Sequence, residues 1–195
     1  MNNFQYETGV IHGRFQILHN DHLKYLWAGK ELCKHLVVGI TNPDPTLSGN
    51  EATDPQRSAQ WANPLNFFER YQLVKKVLED NGLDQWEYSI VPMPINYPDL
   101  YKYYLPLDAV FFLTIYDDWG RKKREFFREL GLHIHVLWEL SAHEKGISAS
   151  RVRQNMLNRE PWEHLVPGVV AEQLQIWNIA SRLQQLVQDS TTKKV

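Results

Sequence analysis

Gly13-Arg14-Phe15-Gln16-Ile17-Leu18-His19-Asn20-Asp21-His22 follows the apolar pair Val10-Ile11 and opens into a helical pattern at Leu23, Leu26 and Trp27. The order reads as strand, tight turn and helix start. A helix N-terminus carries unpaired backbone N–H groups and the positive end of the peptide dipoles, which makes it an anion site. Arg14, His19 and His22 add a guanidinium and two imidazoles at that point. The combination suits a polyphosphate that is held and made to react.

Further strand-length apolar runs lie near Gly9–Ile11, Leu36–Ile40, Tyr88–Pro92, Ala109–Ile115 and His133–Leu137. The runs at 36–40 and 109–113 are almost unbroken, as expected of strands covered on both faces of a parallel sheet. Helical patterns separate them, at His22–Lys34, Phe67–Asn81 and Asp118–Leu130. Strands alternating with helices predict an α/β fold, a doubly wound, Rossmann-like parallel sheet of about five strands. After Leu140 the pattern turns helical, with Ser150–Asn158 and Val169–Val187, and the polar tail from Asp189 is expected to fray. The 195 residues are expected to form a single domain, with a sheet core over 5–140 and a C-terminal helical part over 141–188. The segment 41–64 carries four of the ten prolines and follows the end of a strand. That is the place of a lid over a ligand.

Composition narrows the function classes. A formal net charge of -2 supplies no global field for nucleic acid. No apolar segment is long enough to span a bilayer, and residues 1–5 have no signal-peptide pattern, so a cytoplasmic protein is expected. The lone Cys33 excludes a disulfide within the chain. Among 24 aromatic residues (seven Trp, nine Tyr, eight Phe), some are expected to line a ligand site.

Three other segments carry candidate chemistry. Gly146-Ile147-Ser148-Ala149-Ser150-Arg151-Val152-Arg153 offers hydroxyl caps before a helix with Arg153 on an early turn, a second phosphate-binding terminus. Asn63-Pro64…Glu69-Arg70 starts a helix just beyond the proposed lid. Thr114-Ile115-Tyr116-Asp117-Asp118-Trp119-Gly120 ends the most apolar strand, and Trp119 there can either stack on a flat ring or pack. His19 and His22 lack a third ligand and Cys partners, so no protein metal site is expected.

These residues resemble the nucleotidylyltransferase superfamily. Gly13-Arg14-Phe15-Gln16 with His19 and His22 is similar to its Gly-x-Phe-x-x-x-His-x-Gly-His signature, and 147–153 is similar to its Ile-Ser-x-Thr-x-x-Arg signature. Within it the pattern is most similar to archaeal-type nicotinamide mononucleotide adenylyltransferases. The resemblance implies that His19, His22, Arg14 and Arg153 act on the phosphates. It implies a nucleotide held by Gly13, Phe15, Arg70, Ser148 and Ser150, and an acceptor met by Trp119 and Asp117. It also implies Mg2+ carried on the nucleoside triphosphate, with ATP favoured, and a small phosphate-bearing acceptor as partner. Resembling proteins are often homo-oligomers. Asp21 stands where the signature has Gly, Ser150 stands where it has Thr, and the 41–64 segment is longer than in close relatives. The expected reaction is transfer of a nucleoside monophosphate with release of pyrophosphate, from ATP to nicotinamide mononucleotide. Asp21 and the long segment keep two alternatives in play: a cytidylyltransferase for a small phosphate or phosphonate, and an inactive nucleotide-binding regulator.

Overall fold

The computed structural model describes residues 4–44, 59–144 and 146–192. Five strands form one sheet: β1 (Tyr6–Gly13), β2 (Cys33–Thr41), β3 (Tyr88–Met93), β4 (Val110–Ile115) and β5 (His133–Glu139). Their order is β3-β2-β1-β4-β5, and every pairing is parallel. The helices are α1 (Asn20–Lys30), α2 (Phe67–Asp80), α3 (Asp118–Glu129), α4 (Ala149–Asn158), α5 (Gly168–Ile176) and α6 (Ile179–Thr192). This is the Rossmann-like α/β arrangement that the alternating pattern predicts.

Two apolar layers follow from the two-residue period of the strands. Ile11, Leu36, Val38, Ile40 and Phe112 pack beneath α1, α2 and α4–α6. Val10, Val37, Phe111 and Leu113 pack on the other side, with Phe127 of α3 and Tyr101 of the short helical turn Pro98–Tyr103. Gly29 lets α1 lie close on β1, since a Cβ there would fall 2.4 Å from Ile11 Cδ1. The order of connection reverses between the parallel strands β1 and β4, and the helices that follow them, α1 and α3, cover opposite faces of the sheet, which leaves a crevice at the carboxyl ends of these two strands. Ligands of open α/β sheets bind at that switch point.

Several boundaries differ from the sequence reading. The first helix ends at Lys30 rather than Lys34, because Cys33 and Lys34 already belong to β2. The expected helix 169–187 is two helices, broken where Asn178 takes φ 51°. Asn tolerates that left-handed conformation better than most residues. The tail does not fray at Asp189: α6 continues to Thr192, with the hydroxyls of Ser190 and Thr191 donating to the Val187 carbonyl at 2.7 and 3.0 Å. Most of the expected lid, 45–58, lies outside the described residues; its flanks at Thr41, Asn42 and Trp61 border the cleft described next. Among the described residues, no helix is long and apolar enough to cross a membrane.

Candidate active site

A cleft of about 790 Å³ opens at the switch point. It brings together Gly13, Arg14, Phe15, His19, His22, Asp117, Trp119, Ser148, Ser150 and Arg153, residues drawn from both ends of the chain. The two turn-to-helix junctions therefore share one cavity. Arg70 is not among its lining residues.

The first junction is a rigid assembly. His19 is the N-cap of α1, which starts at Asn20, two residues before the expected start at His22. Its Nδ1 accepts from the His22 N–H at 3.4 Å, and the His22 Nδ1 accepts from the His19 N–H at 3.3 Å. The rings stack with centroids 3.7 Å apart. With both Nδ1 atoms accepting, each neutral ring carries its proton on Nε2, and that N–H is the donor each can offer to a phosphate oxygen. Burial lowers His19 to about 4, only partly opposed by Asp21. Burial, His19 and Arg14 hold His22 well below the ordinary range. Both imidazoles are neutral at pH 7.

The turn before them is held from three sides. Phe15 takes φ 51° and is fully buried, its ring 5.0 Å from that of His22. The Gln16 side chain bonds the Leu65 backbone twice, at 2.6 and 3.0 Å. The Gln16 carbonyl accepts from Arg153 Nη1. Arg70 donates to the carbonyls of Arg14, Thr41, Asn42 and Asn66 at 2.7–3.3 Å. It is 2% exposed. Where the resemblance implied a phosphate ligand, the structure places a guanidinium that ties two loops beneath the cleft. Arg70→Ala is expected to lower the free energy of unfolding by about 3 kcal/mol, since several buried carbonyls lose a charged donor. Urea denaturation measures it, and a loss below about 1 kcal/mol contradicts the role.

The second junction starts α4. Ser148 caps the helix, accepting from the Arg151 N–H at 3.2 Å. Ser150 Oγ accepts from Arg153 Nη2 at 3.1 Å. Arg153 is 2% exposed, its Nε has no hydrogen-bond partner among the described residues, and burial and Arg14 lower it to about 10. It stays protonated at pH 7, half engaged and facing a cavity that suits an anion.

Asp21 resolves its own anomaly. Its carboxylate accepts from the Ile147 N–H at 2.6 Å and from Lys24 Nζ at 2.8 Å. A Cβ on Gly146 would meet Asp21 Oδ2 at 2.3 Å, so glycine is required for that approach. Burial pushes the Asp21 carboxyl up, but the hydrogen bonds from Lys24 and Ile147 and the Lys24 charge outweigh it and hold it below the usual range. Instead of repelling a triphosphate from the first junction, Asp21 ties that junction to the second.

The remaining wall is aromatic and cationic. Trp61, Trp119 and Trp138 line it, and Trp138 Nε1 donates to the Tyr116 hydroxyl at 2.7 Å. Trp119 is 47% exposed with Lys123 Nζ 4.7 Å above its ring. The Asp117 carboxylate accepts from the Gly120 N–H at 2.9 Å as the N-cap of α3. Sequence reading missed His12, at the end of β1. The residue is 7% exposed, and neither ring nitrogen has a partner among the described residues. The signal available was position alone, a histidine directly before the Gly13 turn.

Burial and the Lys123 charge hold His12 well below its usual range too. Three histidines are thus neutral when folded and bind protons more readily when unfolded. Stability is complete above the unfolded value near 6.5 and falls as pH drops below it, by about 1.4 kcal/mol per pH unit for each such histidine. Unfolding measured between pH 7 and 5 is expected to lose at least about 2 kcal/mol with net proton uptake; a flat profile contradicts it.

Fold and cleft together define a nucleotidyltransferase. The chain belongs to the cytidylyltransferase-like family, which it matches over residues 10–155. It is 46% identical over 177 residues to the phosphonoformate cytidylyltransferase of Streptomyces viridochromogenes, covering 91% of this chain and 95% of that one. It is 28% identical over 167 residues to the nicotinamide-nucleotide adenylyltransferase of Thermococcus onnurineus, covering 85% and 81%. A solved structure of a bifunctional NMN adenylyltransferase/ADP ribose pyrophosphatase from Francisella tularensis superposes with TM-score 0.67 at 18% identity, over 96% of this chain. This chain spans 54% of that protein, and the likeness is one of fold.

Proposed function

We propose that the protein is a cytidylyltransferase that transfers CMP from CTP to a small anionic phosphonate, of which phosphonoformate is the leading candidate. The observation that carries this reading is the 46% identity to a phosphonoformate cytidylyltransferase over nearly the whole of both chains. It takes the place of the expectation of ATP and nicotinamide mononucleotide, whose support is identity of 26–28%. The cleft's chemistry is compatible with it. Arg14, Arg153, Lys122 and Lys123 line the cavity, and among the described residues its lining carboxylates are Asp21 and Asp117, each of which accepts from a backbone N–H group.

In the proposed step an ionised phosphonate oxygen attacks the α-phosphorus of CTP. A new P–O bond forms, the bond to the β-phosphate oxygen breaks, and pyrophosphate leaves with that electron pair. The attacking oxygen is already ionised, so no protein base or nucleophile is required. The Nε2–H groups of His19 and His22, the Arg153 guanidinium and the N-terminus of α4 stabilise charge on the phosphoryl oxygens without reorganising. Among the described residues no cluster of three metal-ligating side chains exists, and both lining carboxylates are engaged. That donor set fits a magnesium ion brought by the triphosphate, where it would neutralise the leaving group.

The test is pyrophosphate release from CTP and from ATP, each with phosphonoformate and with nicotinamide mononucleotide. Release from CTP with phosphonoformate at least tenfold faster than any other pairing is expected. Preference for ATP with nicotinamide mononucleotide restores the adenylyl reading, and nucleotide binding without release for any pairing favours a regulator.

A further inference from the structure

Among the described wall residues, Asn42 and Arg153 each leave one buried polar atom without a partner, whereas His12 leaves both of its ring nitrogens so. A buried unsatisfied donor or acceptor costs about 1–3 kcal/mol, and two on one ring call for an explanation. Position supplies it. Along β1 successive side chains alternate between faces. Gly13 faces Phe15 and the α1 junction, with Phe15 Cζ 2.9 Å from where its Cβ would lie. His12 faces the α3 side, its ring centroid 5.3 Å from that of Phe127. The phosphate-binding equipment of the α1 and α4 junctions is thus on one side of β1 and His12 on the other, within the same cavity. Around His12 the cavity is bounded by α3, whose Lys123 is close enough to act on the imidazole electrostatically and also covers Trp119.

We propose that His12 and Lys123 form the subsite for the second anionic group of the acceptor, the carboxylate of a carboxyphosphonate, while its phosphonate faces the α1–α4 junctions. This assignment rests on the cytidylyl reading above and adds the recognition element to it. A neutral imidazole offers one N–H donor, and an ammonium beside it offers the charge. The donor reaches the carboxylate and the second ring nitrogen is left for water or an acceptor hydroxyl. A carboxylate bonded directly to phosphorus is short enough to lie between the two sides of one strand. A phosphonate without the carboxylate leaves His12 as bare as it is in the free protein.

Two variants and one spectroscopic measurement test this on the full chain. His12→Phe is expected to raise KM for phosphonoformate at least tenfold while KM for CTP stays within twofold. Inhibition by methylphosphonate, which lacks the carboxylate, is expected to change less than twofold. His12→Gln, which keeps a donor and an acceptor, recovers most of the loss. In the wild-type protein, phosphonoformate alone is expected to shift the His12 ring nitrogen resonances, and methylphosphonate is not. Equal losses for phosphonoformate and methylphosphonate, or a shift in KM for CTP as large as that for the acceptor, overturn the assignment. So does a titration with phosphonoformate to saturation that leaves the ring nitrogens unmoved. If CTP and phosphonoformate release no pyrophosphate, the cytidylyl reading falls, and the resonance titration still decides whether His12 holds a carboxyphosphonate.

Discussion

Arg153→Ala is expected to lower kcat/KM by about a thousandfold, near 4 kcal/mol of transition-state stabilisation. Three effects combine. The guanidinium is nearly buried, so its charge acts where screening is weak. It holds the Gln16 carbonyl and the Ser150 hydroxyl, so its loss frees both the turn of the first junction and the start of α4. Its Nε has no partner among the described residues, and under the proposed function it is the donor that the phosphate chain would engage. Arg153→Lys keeps the charge but cannot reach both partners at once, and is expected to recover about a tenth to a third of the loss on a logarithmic scale. Steady-state kinetics with saturating CTP measures both. A loss under tenfold for the alanine variant contradicts the role.

His22→Ala is expected to lower kcat by on the order of a hundredfold, the cost of one preorganised donor at a developing anion. The paired histidines make the expectation more specific. His22 Nδ1 caps the His19 N–H, and the His19 ring stacks on that of His22. Removing either ring should loosen the other. The double variant is then expected to cost well short of the product of the two single losses, as residues that act as a unit do. His22→Asn keeps a side-chain acceptor for the cap and separates the two roles: stability near wild type with kcat still low. A change in kcat under threefold for His22→Ala refutes the assignment.

Much of the fold was legible because it depends on periodicity. The near-continuous apolar runs at 36–40 and 109–113 announce strands covered twice, and all five predicted strands lie in one parallel sheet. The α1 boundary was harder, since Glu31-Leu32-Cys33 prolongs a helical spacing while Cys33 already pairs with Tyr6 across the sheet. The break at Asn178 depends on one residue's φ, which apolar spacing cannot report. In the site, the two junctions could be read because each is local: a strand or loop, a turn, a cap and nearby cations. Arg70 could not, because its carbonyl partners at Arg14, Thr41 and Asn42 come from loops 28 to 56 positions away. Asp21 looked hostile to phosphate for the same reason: the amide that engages it is 126 positions distant. His12 was passed over because, in a string of letters, a histidine at a strand end is the same whether its nitrogens are satisfied or bare.

Gln16 is gripped by Leu65 from one direction and by Arg153 from another, across 49 and 137 positions of chain. The pocket is accordingly the closing seam of the polypeptide. A nascent chain still short of α4 carries the glycine turn and its histidines with the opposite wall missing. Nucleotide affinity should therefore arrive late in synthesis and abruptly, with no partially competent stage while the C-terminal third is being made.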